Sequence, residues 1–204
     1  MRNKRFIRTL WGIYSKEWSY KRRAKIDSDF DLVLHNEFEQ PCTVYVFGKD
    51  NLKYLEDMGF DCRLVDEKPI VWDPKEGVHQ YGHKIQIFHE AMKEFEEIIF
   101  LDWDCVPVKP LSNDLWQQLR KKEPIQASLR GYKVKRAGWR KRDARKRPCA
   151  SFVYIREKKI ADDMFDLWKE KKTLSDEHIL GMCMDKLSGG WRSEETRLNS
   201  SHLA

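Results

Sequence analysis

Short apolar runs alternate along this chain with amphipathic stretches. Phe6 to Trp11 reads as a strand stopped by Gly12, and Thr43 to Phe47, closed by Gly48, reads as another. Asn51 to Met58 fits a short helix with Gly59 at its C-terminal cap, and Cys62 to Val65 fits a third strand. From His83 to Phe95, the residues Ile87, Phe88, Ala91, Met92 and Phe95 recur on one helical face. Ile98 to Leu101 is too short for a typical helix and continuously apolar, as expected of a strand buried on both faces. Ser112 is placed to cap a helix through Leu119. Ile125 to Leu129 and Ser151 to Ile155 read as strands, and Ile160, Met164, Leu167 and Trp168 mark another amphipathic helix. Ser175 caps a last helix whose expected buried face is Ile179, Met182, Cys183 and Leu187. Alternating strands and helices with no internal repeat predict an α/β sandwich around a largely parallel sheet.

Composition supports a folded core: 41% of the 204 residues are hydrophobic, with eight tryptophans and ten phenylalanines. The length suits a single domain, taken as residues 1–191. The polar end, residues 192–204, lacks helix or strand periodicity and resembles the translation of a sequencing-library adapter. It is set aside as a non-native disordered tail, with the native chain expected to be interrupted near Trp191. The net charge of +6 is uneven: Lys133 to Arg147 holds nine Lys or Arg against Asp143 alone, which leaves the remainder close to neutral. The five cysteines form no C-x-x-C pair and are odd in number, which argues against a zinc knuckle or disulfide framework and favours a reducing compartment. With no run of membrane-spanning length, a soluble cytoplasmic protein is expected.

The chemistry concentrates in Glu97-Ile98-Ile99-Phe100-Leu101-Asp102-Trp103-Asp104-Cys105-Val106-Pro107. Strand alternation extended past Leu101 puts Asp102 and Asp104 on one side and Trp103 on the other. Two like charges so placed call for a positive partner, most simply a hard divalent cation. In open α/β sheets ligands bind at the carboxyl ends of the strands. The helix start Tyr81-Gly82-His83-Lys84 belongs to the same edge. Lys84 and a helix N-terminus beside a metal make a candidate diphosphate site.

Lys84, its helix and the Glu97 to Leu111 block resemble the sugar-nucleotide half of the GT-A glycosyltransferases. The resemblance implies a Rossmann-like three-layer sandwich. It also implies that Asp102 and Asp104 form a D-x-D holding Mn²⁺ or Mg²⁺ across the two phosphates of a nucleotide sugar, with Asp104 the more direct ligand. Thr9, Trp11 and Gly12, with Val46 to Gly48, then stand where the family holds the nucleoside, and Lys84 and Asp102 face the donor. The expected reaction is transfer of a sugar from a nucleotide-diphosphate donor, taken as UDP-linked, to an unknown acceptor, an anionic one being compatible with the basic segment. Asp176 and Glu177 would bind the acceptor or act as general base; the alternative is that they only favour the helix dipole. His178 reads as a local polar residue. The third metal ligand that many such enzymes carry near the C-terminus has no candidate here after His178 except His202, in the tail.

Two other readings remain open. Asp102-Trp103-Asp104-Cys105-Val106 also fits the first motif of haloacid-dehalogenase-type phosphatases, with Asp102 as nucleophile and Mg²⁺ assisting. Against it, that motif usually opens the fold, Cys105 replaces the usual glycine, and the later acidic motif is missing, since Asp162 and Asp163 lie in an amphipathic helix. The basic segment 133–147, with Trp139 for stacking, could instead serve a nucleic-acid-binding module, a reading that leaves the carboxylate pair unexplained. Within an enzyme, the same segment reads as a loop beside the active site.

Overall fold

The computed structural model describes residues 3–11, 30, 33–36, 41–70, 80–108, 113–130 and 147–188. Gly12, Ser112, residues 133–146 of the basic segment and the tail 192–204 lie outside the described residues. The elements run β1 (Lys4–Leu10), β2 (Cys42–Phe47), α1 (Lys49–Asp57), β3 (Asp61–Asp66), a 3₁₀ turn (Gln80–Gly82) leading into α2 (His83–Glu94), β4 (Glu97–Leu101), α3 (Asn113–Arg120), β5 (Ile125–Arg130), β6 (Arg147–Ile155), α4 (Lys158–Glu170) and α5 (Asp176–Ser188). Every strand and helix read from the sequence is present.

The strands form one sheet in the order β3-β2-β1-β4-β6-β5. β1 to β4 are mutually parallel, and β6 runs antiparallel to both neighbours. The sheet is the mostly parallel one expected, and helices cover both faces. On one face Ile7, Tyr45, Phe47, Ile98, Phe100 and Val153 pack under α2, α4 and α5. On the other, Phe6, Ile99, Leu101 and Tyr154 meet Trp116 and Leu119 of α3, and Leu10, Val44 and Val46 meet Leu55 of α1 with Phe30 and Phe60. The alternation of Ile98 and Phe100 against Ile99 and Leu101 explains why β4 is apolar throughout: it is buried from both sides.

Two local details differ from the sequence reading. The buried face of α5 is Ile179, Leu180, Cys183 and Met184, whereas Leu187 is exposed. The helix turns its 179/180/183/184 stripe to α4 and β6, one position round from the predicted face. β6 begins at Arg147, earlier than Ser151. Its register against β5 jumps from Ala127–Val153 to Ser128–Cys149, so Ala150 to Phe152 bulge out of that ladder.

Gly48 has φ 93°, and a Cβ there would lie 3.1 Å from Pro69, so the β2–α1 junction needs glycine. Among the described residues, no helix is long and apolar enough to cross a membrane. Among the described residues, no two cysteines form a disulfide.

Glu97, fully buried at the start of β4, accepts two hydrogen bonds from Arg120 Nε, at 2.8 and 2.9 Å. Arg120→Met is expected to cost about 3 kcal/mol, because it removes the guanidinium from a buried carboxylate; urea unfolding of the two proteins measures it.

Candidate active site

Three elements converge on one ammonium. Lys84 lies in the first turn of α2 and is only 5% exposed, although its side chain is charged. Its Nζ is 2.6 Å from Asp102 Oδ1, immediately past the end of β4, and 3.7 Å from Asp176 Oδ2, the first residue of α5. It also donates to Ala150 O at 3.5 Å, within the β6 bulge. Sequence periodicity explains the aim: Lys84 precedes the buried Phe88 by one helical turn, and Asp102 continues the face of Ile98 and Phe100. The aromatic rings of Trp11, Tyr81 and Phe100 surround the ammonium, with centroids at 5.8, 6.0 and 5.2 Å.

The D-x-D itself is a turn. β4 ends at Leu101, and Cys105 N–H donates to Asp102 O at 2.9 Å, so strand alternation does not carry through to Asp104. Asp102 keeps the expected side and is reachable, its side chain 26% exposed; Asp104 is exposed. Trp103 packs on the opposite face against Phe30 and Phe60, as its position predicted. Its indole N–H donates to Thr9 O at 2.8 Å. Burial, with the charges of Asp104 and Asp102, pushes the Cys105 thiol up to about 11.

Asp176 is the second carboxylate brought into the cluster. Ser175 caps α5, its Oγ accepting from His178 N–H at 3.3 Å, and so points the first turn of the helix at Lys84. Burial raises the Asp176 carboxyl above its ordinary value; the Lys84 charge and a hydrogen bond from the Glu177 backbone oppose this without cancelling it. A solvated first-turn acid would serve the helix dipole alone, so the buried contact with Lys84 separates Asp176 from that role. Glu177 is half-buried and fits the dipole reading. His178 stays local, its Nδ1 2.8 Å from Ser175 Oγ.

The remaining candidates divide. Trp11 is half-buried beside Lys84 and meets exposed Tyr81 edge to face at 5.9 Å. The Thr9 hydroxyl is buried and donates to Tyr45 O at 2.9 Å, so it faces the protein interior. A surface pocket at the end of β2 is lined by Gly48, Lys49, Asn51, Tyr54, Glu67 and Pro69, none of which belongs to the Lys84 cluster.

Sequence reasoning missed Arg8. It is fully buried, and its guanidinium donates to Asp102 O at 2.7 Å and to Cys105 O at 3.2 Å. The available signal was a charged residue between the apolar Phe6-Ile7 and Leu10 of β1. It also missed the reason for Gly82. A Cβ there would collide with the Trp168 indole, so α4 packs against bare backbone where α2 begins.

Among the described residues, no three His, Cys, Asp or Glu side chains gather into a metal cage. The donor set, Asp102 and exposed Asp104, suits a hard cation that completes its shell with water and substrate phosphates, which is how Mg²⁺ is commonly held.

No family model matches the chain by sequence, and no curated protein matches it. By structure it is similar to a protein described as a glucose-1-phosphate thymidylyltransferase from Bacillus anthracis, at TM-score 0.50 and 10% identity over 90% of this chain and 83% of that one. It is equally similar to the 4-diphosphocytidyl-2C-methyl-D-erythritol synthase of Anaerococcus prevotii, at TM-score 0.50 and 14% identity over 90% and 84%. A mouse xyloside xylosyltransferase 1 superposes less well, at TM-score 0.46 and 12% identity over 91% and 83%, and carries no argument. The chain therefore shares with these two structures an α/β sandwich fold, a six-stranded and mostly parallel sheet flanked by helices. At these identities the likeness reaches the fold and stops there.

Two outcomes test the packing and charge of the cluster. Gly82→Ala should lose about 1–3 kcal/mol of stability, since its methyl group overpacks against Trp168; thermal or urea unfolding reports it. For Asp176, a raised folded value means a stabilising contribution present below the ordinary 3.8 and lost as pH rises through the elevated value. Asp176→Asn should therefore gain stability relative to wild type as pH rises above the ordinary 3.8, read from urea midpoints across a pH series.

Proposed function

We propose that this chain is a metal-dependent glycosyltransferase of the GT-A type, which takes a nucleotide-diphosphate sugar, UDP-linked in the first instance, as donor. The observation that carries the reading is the Lys84–Asp102–Asp176 cluster at the carboxyl edge of the sheet, with exposed Asp104 beside it. This is the edge where α/β sheets bind ligands, and its carboxylates outnumber the one lysine that meets them.

Each residue then has a task. Asp104 and Asp102 would hold Mn²⁺ or Mg²⁺. When bound, that ion supplies Lewis-acid stabilisation of the negative charge on the departing nucleoside diphosphate. Lys84 offsets Asp102 and Asp176 and presents a cation to the diphosphate. Trp11 and Tyr81 wall the donor side. Asp176, its carboxyl raised by burial above the ordinary carboxylate value, is the residue to take a proton from an acceptor hydroxyl. Thr9 contributes through its backbone, which holds Trp103 and hence the turn.

Titrating UDP-sugars into wild type and Asp104→Ala, with Mn²⁺ and with EDTA, tests the reading. Wild type should bind only with metal. The variant should lose affinity by at least the roughly tenfold that removal of even an indirect metal partner costs. Phosphate release from a phosphomonoester without sugar-nucleotide binding would move Asp102 to the phosphatase role. Pyrophosphate released from a nucleoside triphosphate and a sugar phosphate would move the reading to nucleotidyl transfer.

A further inference from the structure

The parallel ladder between β1 and β4 ends at the pair Ile7–Phe100. β4 ends one residue later, and the chain bends through Asp102 to Cys105. A backbone that leaves a sheet carries carbonyls without a strand partner, and inside a protein these need donors. The next residue of β1 supplies them. Arg8 Nη1 donates to Asp102 O at 2.7 Å and Nη2 to Cys105 O at 3.2 Å, so both ends of the turn hang from one guanidinium. The same guanidinium lies 5.5 Å from the centroid of the Trp103 ring, whose N–H is bound by Thr9 O. On the other flank, Asp102 N–H donates to Ser151 O at 3.0 Å.

Arg8 sits on the face of Phe6 and Leu10, across the sheet from Lys84. A cation this buried is costly to desolvate. A planar fork can meet two separated acceptors in fixed directions; a lysine ammonium at the end of a flexible stem cannot.

We propose that Arg8 is a positioning residue: it grips the Asp102–Cys105 turn by its carbonyls and so fixes where the carboxylates of Asp102 and Asp104 stand relative to one another. The consequence for metal and diphosphate rests on the transferase reading; the grip on the turn does not. Arg8 works from beneath the turn, through main chain, with Asp102 and Asp104 as the groups that face the ligand.

The test compares Arg8→Met, Arg8→Lys and Glu97→Gln with wild type. Glu97→Gln perturbs the opposite end of β4 and serves as a control for simple destabilisation. Hydrogen exchange followed by mass spectrometry reads the turn, and Mn²⁺ titration reads the site. Both Arg8 variants should exchange faster over residues 102–106, with Arg8→Lys the milder. Their Mn²⁺ dissociation constant should rise about 10- to 100-fold, as for other groups that orient metal ligands. Glu97→Gln should leave Mn²⁺ binding unchanged at comparable loss of melting temperature. Unchanged Mn²⁺ affinity in the Arg8 variants, or a loss no greater than that of Glu97→Gln, overturns the proposal. A wild type that binds no Mn²⁺ overturns the transferase reading instead. The grip is then judged by exchange alone: faster exchange upholds it and unchanged exchange overturns it. Should Arg8→Met fail to fold, Arg8→Lys carries the same comparison.

Discussion

The buried ammonium of Lys84 holds the carboxyl edge of this sheet together. It joins the start of α2, the exit of β4, the start of α5 and the bulge of β6. Without it, Asp102 and buried Asp176 would face one another as like charges in a poorly solvated space, an arrangement that buried carboxylates resolve only by protonation or by moving apart. The position of α5 thus depends on a charge balance as much as on the apolar contacts of Ile179, Leu180 and Cys183. Asp104 stands exposed beside this cluster.

The bend that carries Asp102 and Asp104 is held from both faces of the sheet. Lys84 takes the Asp102 carboxylate on one side, and Arg8 takes the Asp102 and Cys105 carbonyls on the other. This follows from strand geometry. Residues 98, 100 and 102 share one face, Arg8 shares the opposite face with Phe6 and Leu10, and the departing backbone lies between them. Two cations on opposite sides of one short turn thus hold the Asp102 carboxylate and the carbonyls at both ends of the turn.

The opposite edge of the sheet offers a contrast. There Arg5, Thr43, Asp61, Arg63 and Glu94 form a chain of partly exposed pairs in which each carboxylate meets donors. Those hydrogen bonds outweigh the effect of burial and hold Asp61 below its ordinary value. That edge is charge-matched and suited to stability. The carboxyl edge concentrates acids around one lysine and is suited to ligands.

Local sequence determined the elements and the main candidate. Short apolar runs, two of them closed by Gly12 and Gly48, marked the strands, one-faced spacing marked the helices, and Ile98-Ile99-Phe100-Leu101 before Asp102 located the chemistry, because each of these signals depends on neighbours in the chain. Lys84 was legible for the same reason, one turn before a buried phenylalanine. Tertiary structure alone decided what these groups meet. Nothing local says that the ammonium lies between Asp102 and Asp176, that Thr9 turns its hydroxyl to Tyr45 O, or that β6 bulges at Ala150. Arg8 and Gly82 show why. Arg8 reads as a misplaced charge until the carbonyls of residues 102 and 105 fold over it, and Gly82 reads as an ordinary helix start until Trp168, far along the chain, fills the space of its missing Cβ. Hydrophobic periodicity is a property of consecutive residues, whereas partners for buried polar groups are chosen by contacts that only the folded chain creates.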